Sequence, residues 1–248
     1  FSNWVAGGNN SFGAAAKVKY AFNYKKGKNI WKNKITLGYG QVNSDGEKPK
    51  KTDDIIALES IYGYEISKSW YLSAASTFQT QIANGYDYNA NPDYTPKDRK
   101  SSFMAPGYFT LGVGFEYKPE GKFQLSILPV TSKTTFVLDK KLQKKGNYGL
   151  ENDGDWKYME LGALITAKYK TEIVKNIIWD NYLTLFSNYL SHTERVDIAY
   201  GTVIDMKVNS RISTKLTFDL IYDHDQIKKT QIKQTFGVGF SYNFKSRE

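Results

Sequence analysis

The chain has 248 residues with no cysteine, 19 tyrosines, 14 phenylalanines and a formal net charge of +9. Without cysteine there are no disulfides or thiolate metal sites, and no run approaches the roughly 18 apolar residues of a membrane-spanning helix. The positive balance points first to nucleic acid or an anionic membrane; no nucleic-acid-binding signature and no basic helix accompany the lysines, so no nucleic-acid partner is expected.

A mean hydropathy of −0.53 does not argue against a membrane, because a barrel strand shows lipid only every second residue and its lumen and loops dilute the average. The aromatic share of 15% favours strands, where such side chains pack on a pleated surface.

Period-two alternation marks eleven strands. In chain order the apolar face carries Ala14, Ala16, Val18, Tyr20, Phe22 and Tyr24, then Trp31, Ile35, Leu37 and Tyr39, then Ile56, Leu58, Tyr62 and Tyr64. Trp70, Leu72, Ala74 and Phe78 follow, and then Phe109, Leu111, Val113, Phe115 and Tyr117. A sixth strand with Phe123, Leu125 and Ile127 is expected to break at Pro129. Met159 to Tyr169 form the seventh, Trp179, Leu183 and Leu185 mark the eighth, and Ile198 to Val208 and Ile212 to Tyr222 the ninth and tenth. The last strand sets Ile232, Phe236, Val238, Phe240, Tyr242 and Phe244 against Lys233, Gly237 and Gly239. Its aromatic end, Phe240, Tyr242 and Phe244, is the closing-strand signal of a membrane barrel.

The connections Lys25–Asn29, Ser67–Ser69, Lys118–Lys122, Thr171–Asn176 and Asn209–Arg211 read as short. Between them fall Val42–Asp53, Ala83–Pro106, Leu138–Asp155, Ser191–Arg195 and His224–Thr230 as long ones, alternating without exception. Outer-membrane barrels sort periplasmic turns and extracellular loops in this way. The expected fold is therefore all-β: a transmembrane antiparallel up-and-down β-barrel of about twelve strands, one domain over residues 1–248. Counting back from Phe244 makes Phe1–Asn10 an outer connection, with most of a first strand, and the export segment, lying outside this chain. Trp31, Trp70 and Trp179 at one end and Trp156 at the other suit aromatic girdles at the bilayer interfaces.

The inward face is where chemistry is expected. The lumen-lining set is Lys17, Lys19, Lys32, Lys34, Glu59, Glu116, Glu160, Lys168, Asp205, Lys207, Lys215, Asp219 and Lys233, joined by Glu65, Asp180, Asp197 and Asp223. Such charges in a low-dielectric barrel must be hydrated or paired. A hydrated pore would use them as selectivity rings, and a closed barrel as cross-strand ladders that brace the lumen.

No catalytic residue is assigned. A surface lipid hydrolase would need a serine activated by histidine, and only His192 and His224, both in loops, are available, with Ser191 beside the first. Asn152–Asp155 and Asp87–Asp93 offer oxygen ligands without calcium-loop spacing, so neither metal nor cofactor is expected. Gly112, Gly114, Gly237 and Gly239 face inward and serve bending and close packing.

Ser2–Ser11, Phe22–Trp31, Leu37–Gly40, Lys51–Asp54, Leu185–Leu190, Met206–Asn209 and Phe236–Phe244 together resemble an outer-membrane protein family of the Bacteroidota known as a domain of unknown function. The likeness runs from Ser2 to Phe244 and implies location and barrel architecture, with no site residues to carry over. The chain departs from the family by residues Lys245–Glu248 beyond the usual terminal Phe.

The combined expectation is a barrel in the outer membrane of a Gram-negative bacterium. Its function is a narrow channel for small polar solutes or, alternatively, a non-transporting scaffold or accessory subunit of an envelope complex. The expected partners are outer-membrane lipid and lipopolysaccharide, the barrel-assembly machinery during biogenesis, and other envelope proteins through the outer loops.

Overall fold

The computed structural model of the protein describes residues 10–119, 121–209, 211–224 and 227–240. Tyr242 and Phe244 of the closing-strand signal and the segment before Asn10 lie outside these residues.

The strands are β1 (Ser11–Lys26), β2 (Asn29–Ser44), β3 (Lys50–Ser67), β4 (Trp70–Thr80), β5 (Gly85–Tyr86), β6 (Arg99–Ser101), β7 (Gly107–Tyr117) and β8 (Phe123–Phe136). They continue as β9 (Lys157–Val174), β10 (Ile177–Asn188), β11 (Val196–Lys207), β12 (Ile212–Asp223) and β13 (Ile227–Phe240). Eleven of them form one sheet in the order β1-β2-β3-β4-β7-β8-β9-β10-β11-β12-β13, each hydrogen-bonded to its neighbour in that order. β5 and β6 pair separately. This is the antiparallel up-and-down arrangement that the alternation predicts.

Local chemistry sets the tight turns. Gly27 between β1 and β2 has φ +56° and Asn176 between β9 and β10 has φ +68°, the left-handed conformation that glycine and asparagine tolerate. At the β11–β12 turn the Asn209 side-chain oxygen accepts from the amides of Arg211 and Ile212, both at 2.8 Å.

Three expectations need correction. The break at Pro129 does not occur, because β8 runs through it. Leu128 is buried, Pro129 and Val130 are both exposed, and Thr131 is buried again. The alternation slips by one residue there, as at a bulge, and a proline is tolerated in a strand at such a place. The connection Val42–Asp53 is mostly strand: β2 continues to Ser44 and β3 starts at Lys50, with Ser11 opposite Ser44 and Phe12 opposite Asn43. Backbone pairing continues past the apolar stretch because ladder hydrogen bonds need no apolar side chain. The connection expected over His224–Thr230 is likewise shortened, since β13 already begins at Ile227. The strict alternation of short and long connections therefore fails at its last member.

Packing groups the chain into two units. The first comprises Phe1–Tyr62, Ala74–Leu111 and Ser132–Met159. Its buried apolar core lies in the long connections rather than on the strands: Ala105, Val137, Leu142 and Leu150 pack together, with Tyr148 and Tyr158 against them. Buried polar groups tie those connections down. Arg99 pairs with Asp139 at 2.6 Å, and Ser102 Oγ donates to the same carboxylate at 3.2 Å. Lys51 Nζ donates to Asp54 at 2.7 Å and to the Ala83 carbonyl at 2.8 Å. The Tyr148 hydroxyl donates to the Lys100 carbonyl, and burial pushes that phenol upward.

The second unit comprises Gly63–Ser73, Gly112–Thr131 and Glu160–Glu248. Register aligns side chains into rows that cross four strands. Leu183, Tyr200, Leu220 and Ile232 stand opposite one another in turn, as do Trp179, Ile204, Leu216 and Phe236.

Candidate functional site: the charged face of the sheet

One face of each strand is apolar and open. Leu37, Leu58, Leu111 and Leu161 remain 44%, 43%, 48% and 40% exposed, whereas the few buried large apolar side chains of the described residues are divided between strands (Ile30, Leu128 and Phe186) and connections (Val137, Leu142 and Leu150). Exposed apolar surface on this scale is untenable in water and marks contact with lipid. Trp31, Trp70 and Trp179 occur within the first three residues of β2, β4 and β10, Trp156 directly precedes β9, and all four are exposed.

The other face carries the charges, held by a recurring device. Lys17 of β1 lies opposite Gly38 of β2. A Cβ at Gly38 would come within 2.9 Å of the Lys17 Cε, so the missing side chain lets the lysine cross β2. It reaches Asp53 of β3 at 2.8 Å. Next along the strands Lys34 meets Glu59 at 2.5 Å.

The second unit repeats the device with an aromatic ring. Tyr182 of β10 faces Gly201 of β11, which faces Asp219 of β12. A Cβ on Gly201 would fall 2.2 Å from two ring carbons of Tyr182. The ring lies across the glycine, and its hydroxyl donates to Asp219 Oδ1 at 2.7 Å. Lys233 is the register partner of Asp219 on β13. Lys170 pairs with Asp180 at 3.3 Å, and Lys215 with Asp205 at 3.2 Å. Glu116 and Lys118 form a nearly buried ion pair, with the lysine 5.9 Å from the centre of the Tyr71 ring.

The charged positions expected from the sequence thus fall largely into neighbour pairs. Lys17, Lys34, Glu59, Glu116, Asp205, Lys215 and Asp219 each have a partner within one or two strands. Lys19 and Lys32 lie on the β1–β2 hairpin opposite Thr36 and Asn23, and Lys168 lies opposite Tyr182. Sequence reasoning missed Tyr182 and the crossing glycines Gly38 and Gly201. The usable signal was a glycine in the inward phase of a strand, but it does not say which side chain will cross it.

A separate polar cluster brings Glu160, Asn188, Ser191, His192, Arg195, Asp197 and His224 around a cavity of about 10 Å³. His192 Nδ1 lies 3.1 Å from Glu194, and His224 Nδ1 lies 3.4 Å from Arg195. Glu194 is held below the usual carboxylate range by its own backbone amide and by His192. Both histidines thus face charged neighbours, and no Ser191–histidine hydrogen bond forms among the described residues. No group of three or more acidic, histidine or cysteine side chains there could hold a metal ion.

A lipid-exposed apolar face, a hydrated charged face and an up-and-down order define a class: the outer-membrane β-barrel proteins of Gram-negative bacteria. Residues 1–86 match the family model described as "Protein of unknown function (DUF3078)". The match covers the amino-terminal part of the longer likeness read from the sequence. No curated protein matches the chain. Among solved structures, similarity is found to the NanC porin, with 9% identity, a TM-score of 0.44, and 94% of this chain and 98% of that one covered. The translocator domain of the autotransporter NalP from Neisseria meningitidis is similar at 9% identity and TM-score 0.42, covering 96% and 84%. An outer membrane channel from Pseudomonas putida F1 is similar at 9% identity and TM-score 0.44, covering 94% and 83%.

Proposed function

We propose that the protein is a narrow channel for small polar solutes, with the charged face lining the passage and the apolar face set in outer-membrane lipid and lipopolysaccharide. The observation that carries this reading is how the charges are paired. Lys34–Glu59, Lys170–Asp180 and Lys215–Asp205 join neighbouring strands along the wall and Lys17–Asp53 spans one strand more, and their side chains stay between 25% and 62% exposed. Charges that plugged the passage would bury one another. Pairs lying along the wall stay hydrated and leave space in front of them. Each such pair contributes only about 0–1 kcal/mol to stability, so its main effect is electrostatic: compensated charges give a polar wall with a weak mean field.

Planar-bilayer recording from the full-length, folded protein tests this. Small, stable unitary conductance steps are expected, and their absence from protein shown to be inserted would reject the channel. The second reading, a non-transporting scaffold, draws on the core of Ala105, Val137, Leu142 and Leu150, which makes the long connections a rigid surface for another envelope protein. Stoichiometric co-purification of such a protein, together with silent bilayers, would favour it.

A further inference from the structure

Three lysines converge on an open cavity of about 430 Å³ beside the tight turns of the second unit, lined also by Thr171, Glu172 and Asn176. They are Lys122 from the β7–β8 connection, Lys170 from β9 and Lys207 from the end of β11. The backbone fixes their spacing. The Lys170 amide donates to the Lys122 carbonyl at 2.8 Å, and the Lys207 amide donates to the Asn176 carbonyl at 2.9 Å.

The acidic residue in the lining is already engaged, since the Asn176 amide donates to Glu172 Oε1 at 2.8 Å and holds that carboxylate in the turn. Lys170 has Asp180 at 3.3 Å yet stays 62% exposed. Lys122 and Lys207 make no ion pair among the described residues. Lys17, Lys34 and Lys215 of this face each have an acid of their own, whereas here three lysines face only Glu172 and, through Lys170, Asp180, which leaves a local excess of positive charge. Ammonium groups serve as point-charge ligands for phosphate, and the volume lies within the range of small-molecule sites. Lys170 and Ile178 belong to the same strand face as the paired charges, which puts the cavity on the solute side rather than the lipid side.

We propose that this cavity is an anion-binding vestibule taking a small dianion of the organic-phosphate class, with Lys122, Lys170 and Lys207 as its charged ligands and Asn176 as a neutral one. Its role in transport rests on the channel reading; its binding does not.

The test uses the full-length protein in neutral detergent, titrated with inorganic phosphate at low salt, and the same protein in planar bilayers. Phosphate is expected to bind, and Lys122→Gln with Lys207→Gln is expected to weaken binding at least about tenfold. Lys25→Gln with Lys28→Gln, on a turn outside the cavity, leaves it unchanged. In a salt gradient the reversal potential of the wild type shows anion preference, and the first pair shifts it toward zero. Heat-dependent gel migration confirms that the variants are folded, which exposed lysines allow. Binding without conductance would uphold the anion site and reject the channel. Conductance whose selectivity and phosphate affinity both ignore the Lys122 and Lys207 substitutions would reject the anion site and keep the channel, and absence of phosphate binding to folded wild type would reject the site outright.

Discussion

Replacing Gly201 by alanine tests the crossing device directly. A Cβ at this position sits 2.2 Å from two carbons of the Tyr182 ring and 2.4 Å from its hydroxyl oxygen, so the ring must leave. With it goes the 2.7 Å hydrogen bond to Asp219. A hydrogen bond to a charged group contributes about 1.5–3 kcal/mol. Tyr182 is 38% exposed and can swing toward solvent, which relieves the clash and leaves the lost bond as the main cost. Asp219 stays part-exposed and faces Lys233, so its carboxylate is not stranded. The expected destabilisation is therefore about 1.5–3 kcal/mol, and Tyr182→Phe, which removes only the hydroxyl, should fall near the lower end. Urea unfolding of the protein refolded into lipid vesicles, followed by tryptophan fluorescence, measures both. The decisive measurement is the double-mutant cycle. In a Tyr182→Ala background, Gly201→Ala should cost less than about 0.5 kcal/mol, because nothing remains to collide with the methyl group. An equal cost in both backgrounds would show that Gly201 acts through backbone flexibility, and the crossing argument would be wrong.

Other expectations follow from the same geometry. Leu150→Ala removes a 2%-exposed side chain from the core of the long connections and should cost about 2–5 kcal/mol. That loss should appear as faster proteolysis between 137 and 156, with strand unfolding unchanged. Asp153 accepts from the Lys145 amide at 2.8 Å, and Asp98 from the Thr95 amide at 2.8 Å; these bonds hold both carboxyls below the usual carboxylate range. A depressed folded pKa stabilises above the unfolded value and is lost as pH falls through the folded one. Amide protection in these turns, corrected for the intrinsic exchange rate, should therefore fall as pH drops below about 4 and stay flat between neutral pH and that point. Brominated lipids should quench Trp31, Trp70, Trp156 and Trp179; an unquenched Trp31 or Trp70 would contradict the lipid-facing assignment of β2 and β4.

Much of this architecture was legible in the residues. Leu37, Leu58, Leu111, Ile204 and Phe236 alternate with small or charged neighbours, and alternation is a local property: successive side chains on a strand point to opposite faces whatever the partner strand is. The eleven strands and their two faces follow from it. Strand ends were less legible, as residues 42–53 and 224–230 show, because polar residues outside the bilayer continue the ladder without an apolar signal. Pro129 misled for a related reason. A proline excludes a regular ladder position, but a slip of register beside it is chosen by the neighbouring strands.

Pairing was decided by the tertiary structure alone. That Lys17 reaches Asp53, that Tyr182 reaches Asp219, and that Lys122, Lys170 and Lys207 gather at one cavity depends on register between strands far apart in the chain. Register is fixed by the turns and the bulges, such as the slips at Ile177/Ile178 and Ile221/Asp223. A one-residue slip reverses every side chain beyond it. The sequence by itself determined which residues could face the lipid and which the polar side, since that needs only neighbours. Which charge meets which, and where positive charge is left over, is a sum over several strands that only the folded sheet performs.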